Sequence, residues 1–158
     1  MRYVLSFIFF ITLLAFSACS HYCCDAPQPD KFMSAERNNN EWSAVAEAIK
    51  LSGDTLNVIG IGVNTGSNLH DTLAFKIKYT TPGNYKPTLN QVLYHSTIGN
   101  GSPLSTYKID TLFSNSITVT GYDQAANRLT GTFALKFVDP ANAAGISFLY
   151  GNFKVALK

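Results

Sequence analysis

The chain has 158 residues, with 12 basic and 10 acidic side chains, so its formal charge is close to neutral. Because no basic stripe is present to follow a phosphate backbone, the sequence argues against nucleic acid as a partner. Charged residues make up only 14% of the chain, which is typical of a neutral β protein outside the cytoplasm. The length leaves room for one domain with a hydrophobic core.

The first 18 residues are predicted to be an export signal. Arg2 precedes an apolar run from Tyr3 to Phe16, which is shorter than the roughly 20 residues that a membrane-spanning helix needs. The run leads into the lipobox-like sequence Phe16-Ser17-Ala18-Cys19, so we expect cleavage before Cys19 and acylation of that residue. Ser20, in place of aspartate, predicts passage to the outer membrane. The acidic residues just after the cysteine reduce to Asp25 alone, which leaves the leaflet open. The alternatives are an uncleaved signal anchor and a secretory peptide with a coincidental cysteine.

Residues 19–30 form the predicted acylated tether, because two prolines among polar residues cannot build a core or a regular ladder. Two further cysteines, Cys23 and Cys24, lie within it. Three interpretations are open for them: free or additionally modified residues, a strained adjacent disulfide with redox use, and metal ligands. The last needs more soft ligands than His21 supplies.

Residues 31–158 are predicted to form a single β domain, because apolar and polar residues alternate along several segments. The clearest segment places Leu73, Phe75, Ile77 and Tyr79 on one face and Ala74, Lys76 and Lys78 on the other. Turns rich in glycine, proline and asparagine separate the segments at short intervals. The pattern predicts an all-β fold, an antiparallel β-sandwich or partly open barrel of seven to nine strands, each with one solvated side.

Glu41 to Lys50 is the ambiguous segment, because its alanines and a Val45/Ile49 pair are compatible with a short helix. We predict a strand, since Asn38-Asn39-Asn40 resembles a hairpin turn that joins it to Lys31–Arg37. A later strand is expected from Tyr107 to Phe113, and the last one from Ile146 to Leu157.

Three short segments in the second half of the chain carry a family resemblance. They are Ser116–Asp123 with its terminal Tyr-Asp pair, Arg128–Phe133 with the sequence Arg-Leu-Thr-Gly-Thr-Phe, and Leu149–Phe153 with a closing Gly-x-Phe. Together they resemble an uncharacterised family of small all-β lipoproteins from Bacteroidetes-type bacteria, over roughly residues 32–158. The resemblance implies the fold and the lipid-anchored location, and it supplies no activity or catalytic residues to transfer.

No motif in the chain indicates catalysis. The segment Gly60–Gly66 has its third glycine misplaced for a dinucleotide loop, and no helix follows it. His21, His70 and His95 are scattered, without partners at metal-ligand spacing. Signatures of serine hydrolases, zinc proteases and calcium loops are missing, and nothing among the scattered acids selects a glycosidase pair. We therefore predict no enzyme activity, no cofactor and no metal.

The tripeptide Asp-Thr-Leu occurs three times, around Thr55, Thr72 and Thr111. In structural terms the aspartate closes a turn, the threonine begins a strand and the leucine points inward. The pattern also resembles the acceptor sequence for O-glycosylation on exported proteins of the same bacterial group. We expect a glycan on one or more of these threonines, with Thr111 the weakest candidate because the alternation turns it inward.

Aromatic residues make up 13% of the chain, and Tyr122, Phe148 and Tyr150 fall on faces opposite the predicted core. Exposed rings on a sheet stack sugars or contact proteins; alternatively, these rings complete a second layer of the fold. The sequence thus predicts a lipid-anchored binding or structural module of the outer membrane, with a glycan or an envelope protein as partner. The alternatives are a barrel-like carrier of a small apolar ligand, which needs a large internal void, and an enzyme with an unrecognised site.

Overall fold

The computed structural model describes residues 31–63, 69–98 and 101–158. The predicted signal peptide, the tether and its cysteines, Cys19 included, lie outside these residues. Within them the chain forms ten strands paired in antiparallel fashion and no helix, and therefore no helix long and apolar enough to span a membrane. The strands are β1 (Phe32–Arg37), β2 (Asn40–Lys50), β3 (Thr55–Val63), β4 (Leu69–Lys78), β5 (Gly83–Tyr85), β6 (Val92–Ile98), β7 (Pro103–Ile109), β8 (Ser116–Asp123), β9 (Arg128–Val138) and β10 (Gly145–Ala156).

Eight of these strands close into a barrel. The order is β10-β1-β2-β3-β4-β6-β7-β9, and β9 pairs back onto β10 along most of its length. The other edge of β9 is shared, because β7 pairs with Phe137 and Val138 while β8 pairs with Arg128–Ala134. The two additional strands, β8 and β5, continue the wall beyond the end of β7. The predicted all-β fold is confirmed as a closed barrel. The tenth strand exceeds the predicted count, since the three-residue β5 is too short to show a period of two.

The inside of the barrel is filled by its own side chains. Tyr94 and Phe148 have ring centroids 5.0 Å apart, and Trp42 meets Phe148 edge-on at 5.1 Å. Further along, Phe75 contacts Phe153 at 5.4 Å. Such ring pairs each contribute about 0.5–1.5 kcal/mol beyond the burial of their area. Two groups of buried rings, one around Phe148 and one around Phe75, therefore help to hold the described strands together.

The hairpin of β1 and β2 confirms the strand predicted for Glu41 to Lys50. Asn38 and Asn39 have φ of 47° and 64°, the left-handed values that a two-residue hairpin turn requires and that asparagine tolerates. The alternation then turns Trp42 and the alanines of β2 inward. This hairpin defines one end of the barrel, the hairpin end. The backbones of Lys31 and Lys158 form hydrogen bonds with the backbone of β2 at and near its other end. We call this opposite end of the barrel the terminal end.

The strand predicted from Tyr107 to Phe113 is shorter than expected, because β7 ends at Ile109. The backbone N–H of Leu112 donates to the Asp110 carboxylate at 3.0 Å and closes a turn. The same hydrogen bond lowers the pKa of Asp110 below its usual value, and nearby Lys136 acts in the same direction. The predicted inward position of Thr111 is therefore wrong: its side chain lies exposed in this turn.

A bulge in β10 changes which side of the strand faces inward. Phe148 pairs with Leu135, and Gly151 pairs with Phe133. Between these two pairs β10 has one residue more than β9, which is a β-bulge. Phe148 is fully buried as a result, and its predicted place on an exposed ligand surface is wrong. The uninterrupted alternation assumed for the last strand fails because the bulge inserts one residue.

Candidate functional site

Tyr150 is the outward-facing residue of the bulge and the clearest outlier in the described chain. Its side chain is 79% exposed, and its φ of 52° lies in the left-handed region that residues with a Cβ avoid. The Asn152 amide donates to the Tyr150 carbonyl at 3.0 Å, which fixes the bulge on its outer side. On its inner side, a Cβ at Gly151 would lie 2.5 Å from the Phe133 ring, so only glycine fits there. Strained residues of this kind concentrate at functional sites.

A groove with a volume of about 530 Å³ lies beside the Tyr150 ring, over the outer face of β1 and β2. Its outward-facing lining comes from four polar residues that pair across the hairpin: Glu36 with Glu41, and Ser34 with Ser43. The volume is within the range of small-molecule sites. We call this region, defined by Tyr150, Glu36, Glu41, Ser34 and Ser43, the Tyr150 groove.

The electrostatics of the Tyr150 groove are set by its two glutamates. Glu36 and Glu41 stand directly opposite each other on neighbouring strands, an arrangement in which like charges repel. Neither side chain forms an ion pair or a hydrogen bond with another residue in the described part of the chain. The groove therefore presents free carboxylate acceptors, two hydroxyl groups and one ring face to a ligand.

The predicted aromatic surface does not form one patch. Tyr122 lies near the terminal end, where its hydroxyl donates to Asn127 at 2.7 Å and its ring meets Tyr79 edge-on at 6.1 Å. In the sheet Tyr122 is level with Val155, which lies five residues, or about 16 Å, along β10 from Tyr150. Of the three predicted rings, Tyr150 alone lines the groove.

The three threonines of the Asp-Thr-Leu tripeptides lie in different environments. Thr55 begins β3 and Thr72 lies within β4, and both are half-buried. Thr111 is exposed in the turn after β7, and the following Leu112 is 97% exposed. Accessibility therefore ranks Thr111 first, the reverse of the sequence-based order.

A second groove of about 530 Å³ lies on the outer face of β3, β4 and β6. Its lining combines apolar residues such as Ile59, Ala74 and Leu93 with Asn57 and Lys76. None of the positive-φ residues in the described ranges lines this groove. It therefore lacks a residue with a left-handed backbone such as Tyr150, which distinguishes the Tyr150 groove.

A buried polar cluster crosses the barrel at its hairpin end. Arg37, at the end of β1, forms an ion pair with Asp71 of β4, which is 5% exposed. The same carboxylate accepts hydrogen bonds from Tyr94 at 3.2 Å and Ser96 at 2.8 Å. Burial raises the pKa of the Tyr94 phenol, and the negative charge of Asp71 adds to this effect. The cluster satisfies its own hydrogen bonds and ties β1 to β4.

The described residues contain no group of three or more His, Cys, Asp or Glu side chains that could hold a metal ion. His70 and His95 lie half-buried on β4 and β6.

Sequence reasoning missed Glu36, Glu41, Ser34 and Ser43, although a usable signal was present. A two-residue turn at Asn38 and Asn39 makes the residues on either side pair symmetrically, and alternation places every second pair outside. The bulge that brings Tyr150 to this face had no comparable local signal.

Comparison with known proteins gives one match. Residues 30–155 match the family described as a domain of unknown function, DUF6252. No curated protein and no solved structure matches the chain. Because the match covers most of its length, the chain belongs to the DUF6252 family.

Proposed function

We propose that this protein is a binding module of the bacterial cell envelope, anchored to the outer membrane through a lipid on Cys19 and without catalytic activity of its own. The observation that carries the binding role is Tyr150, an exposed ring held in a strained backbone beside a polar groove. The expected partners are a glycan or an envelope protein. The family match supports a domain of this extent and leaves its ligand to be tested.

The position of Lys31 is compatible with the proposed anchor. Lys31, the first described residue, lies near the terminal end of the barrel, and Glu36 lies five residues along β1, about 16 Å further from that end. A tether of residues 19–30 spans at most about 40 Å when fully extended. The Tyr150 groove therefore lies on the part of the barrel that is farther from the residue where the proposed tether joins the domain.

The anchor is tested by labelling cells with a fatty-acid analogue. We expect the wild type to take up label and to fractionate with membranes, and Cys19→Ala to lose both properties. Cys23→Ala and Cys24→Ala are matched controls that should keep both. Label and membrane association retained in Cys19→Ala would contradict the anchor.

The binding role is tested with the mature protein purified from host membranes in detergent. Two probes are immobilised: protease-treated envelope polysaccharide, and detergent-solubilised envelope protein. We expect saturable binding to one of them that is lost in Tyr150→Ala. If neither fraction binds in a manner that depends on Tyr150, the proposed binding role of the groove is wrong.

A further inference from the structure

We infer that the ligand of the Tyr150 groove is a glycan chain. One sugar ring stacks on the Tyr150 ring, and the adjacent sugars of the chain form hydrogen bonds with a row of short polar side chains. This inference rests on the proposed binding function and specifies its ligand class. Four features of the described residues carry it: the ring, the row, the glutamate pair and the closed edges of the strands.

The ring of Tyr150 is prepared for stacking. Its side chain is 79% exposed, while its backbone is fixed by the bulge and by the hydrogen bond from Asn152. A tyrosine has only two side-chain torsions to immobilise, so it provides contact area at a small entropic cost. One flat apolar face with a polar edge is what the ring of a sugar, with its C–H face and peripheral hydroxyls, requires.

A row of uncharged polar side chains runs across the barrel wall next to this ring. Cross-strand pairing joins one such residue from each of six strands. In sheet order they are Asn84, Thr118, Thr132, Asn152, Ser34 and Ser43. The row covers about 24 Å along the sheet at the usual strand spacing. It is long enough to contact several consecutive sugars with hydroxyl and amide groups.

The glutamate pair supplies strong acceptors at the end of this row. On the outer face of the β1–β2 hairpin, the pair of Glu36 and Glu41 is the next one after the pair of Ser34 and Ser43, in the direction of the turn. Hydrogen bonds from sugar hydroxyls to carboxylates are charge-assisted and stronger than neutral ones. A polyhydroxylated ligand therefore relieves the unfavourable pairing of the two glutamates without bringing a charge of its own.

A peptide is a poorer fit to the same surface. Both β1 and β2 are paired on both edges, in the order β10-β1-β2-β3, so neither can accept an added strand. The outward-facing lining is polar apart from Tyr150, so an amphipathic helix would find one anchor where it needs several.

The experiment is calorimetric titration of the mature protein in detergent with chitotetraose, maltotetraose, mannotetraose and the host's protease-treated envelope polysaccharide. We expect at least one to bind, and Tyr150→Ala to weaken binding by about tenfold or more, which corresponds to one ring contact. Tyr150→Gly should weaken it equally while relieving the left-handed backbone, so that unfolding does not explain the loss. Tyr122→Ala, an exposed tyrosine outside the groove, should keep the affinity within about twofold.

Each result decides the inference. Binding that depends on Tyr150 and is insensitive to salt supports a neutral glycan, whereas a steep loss of affinity with salt indicates a cationic ligand and overturns it. Failure of all four carbohydrates to bind also overturns it. If envelope protein then binds through Tyr150, the proposed binding function stands without the glycan; if neither fraction does, both are wrong.

Discussion

Removing the Asp71 carboxylate should destabilise the barrel strongly, because three groups depend on it. Asp71 is 5% exposed and pairs with Arg37, which reaches it from a strand three positions away around the barrel. It also accepts hydrogen bonds from Tyr94 at 3.2 Å and Ser96 at 2.8 Å. The substitution Asp71→Ala leaves the guanidinium of Arg37 without its counter-charge.

The magnitude follows from the exposure of each partner. Breaking a buried ion pair from one side costs about 3–5 kcal/mol. The Arg37 side chain retains 26% exposure whereas that of Asp71 retains 7%, so a stranded arginine is better hydrated than a stranded aspartate. We expect a loss of about 3 kcal/mol for Asp71→Ala and about 4 kcal/mol or more for Arg37→Met. The double variant Arg37→Met/Asp71→Leu should be more stable than either single variant, since an apolar pair leaves no uncompensated charge.

Urea denaturation measures these losses, because a shift of midpoint at constant slope reports stability. The control is Glu47→Ala, which removes an ion pair between Glu47 and Lys158 whose side chains are 38% and 59% exposed; it should cost less than about 1 kcal/mol. If Asp71→Ala costs no more than this control, or if the two single losses simply add in the double variant, the buried-pair argument is refuted.

Three further predictions concern the wall, the core and the turn. Gly131→Ala places a Cβ 2.3 Å from the Phe153 ring and should cost about 1–3 kcal/mol in urea denaturation, whereas Gly83→Ala, which meets open space, should cost far less; equal losses would contradict the clash. Burial raises the pKa of Tyr94 above its usual value of 10.0. The stability that its protonated form contributes is therefore complete below pH 10.0 and declines as the pH rises further. Urea denaturation at alkaline pH should show a smaller decline of stability in Tyr94→Phe than in the wild type. Intact-mass analysis of protein from the native host should show an excess beyond the lipid that disappears in Thr111→Ala, and an unchanged excess would exclude this exposed threonine as the glycan acceptor.

The features that could be predicted from the sequence are those decided by neighbouring residues. The asparagines at 38 and 39 have a local preference for the left-handed backbone of this turn, and the alternation of Leu73, Phe75 and Ile77 determines which face of β4 is buried. The choice between strand and helix for residues 41–50 was correct because the turn before it required an antiparallel partner.

The features that could not be predicted depend on residues far apart in the chain. Closure of the barrel rests on the pairing of β9 with β10 and of β10 with β1. The bulge at Tyr150 depends on Phe133 of β9, whose ring occupies the space that a Cβ at Gly151 would need. Reading β10 as an uninterrupted strand therefore placed Phe148 outside, and the extra residue moved it inside.

The packing of the barrel bears on where the proposed ligand can bind. An eight-strand barrel is just wide enough to be filled by side chains or to hold one small ligand, and here the rings of Tyr94, Phe137 and Phe148 contact one another at 5.0–6.0 Å within it. This packing weakens the case for an internal carrier and leaves the outer wall for recognition. On that wall the left-handed backbone of Tyr150 costs about 1–2 kcal/mol, and a ring that is 79% exposed recovers little of it through burial. Stability therefore does not account for a tyrosine at this position, which favours the proposed contact with a glycan.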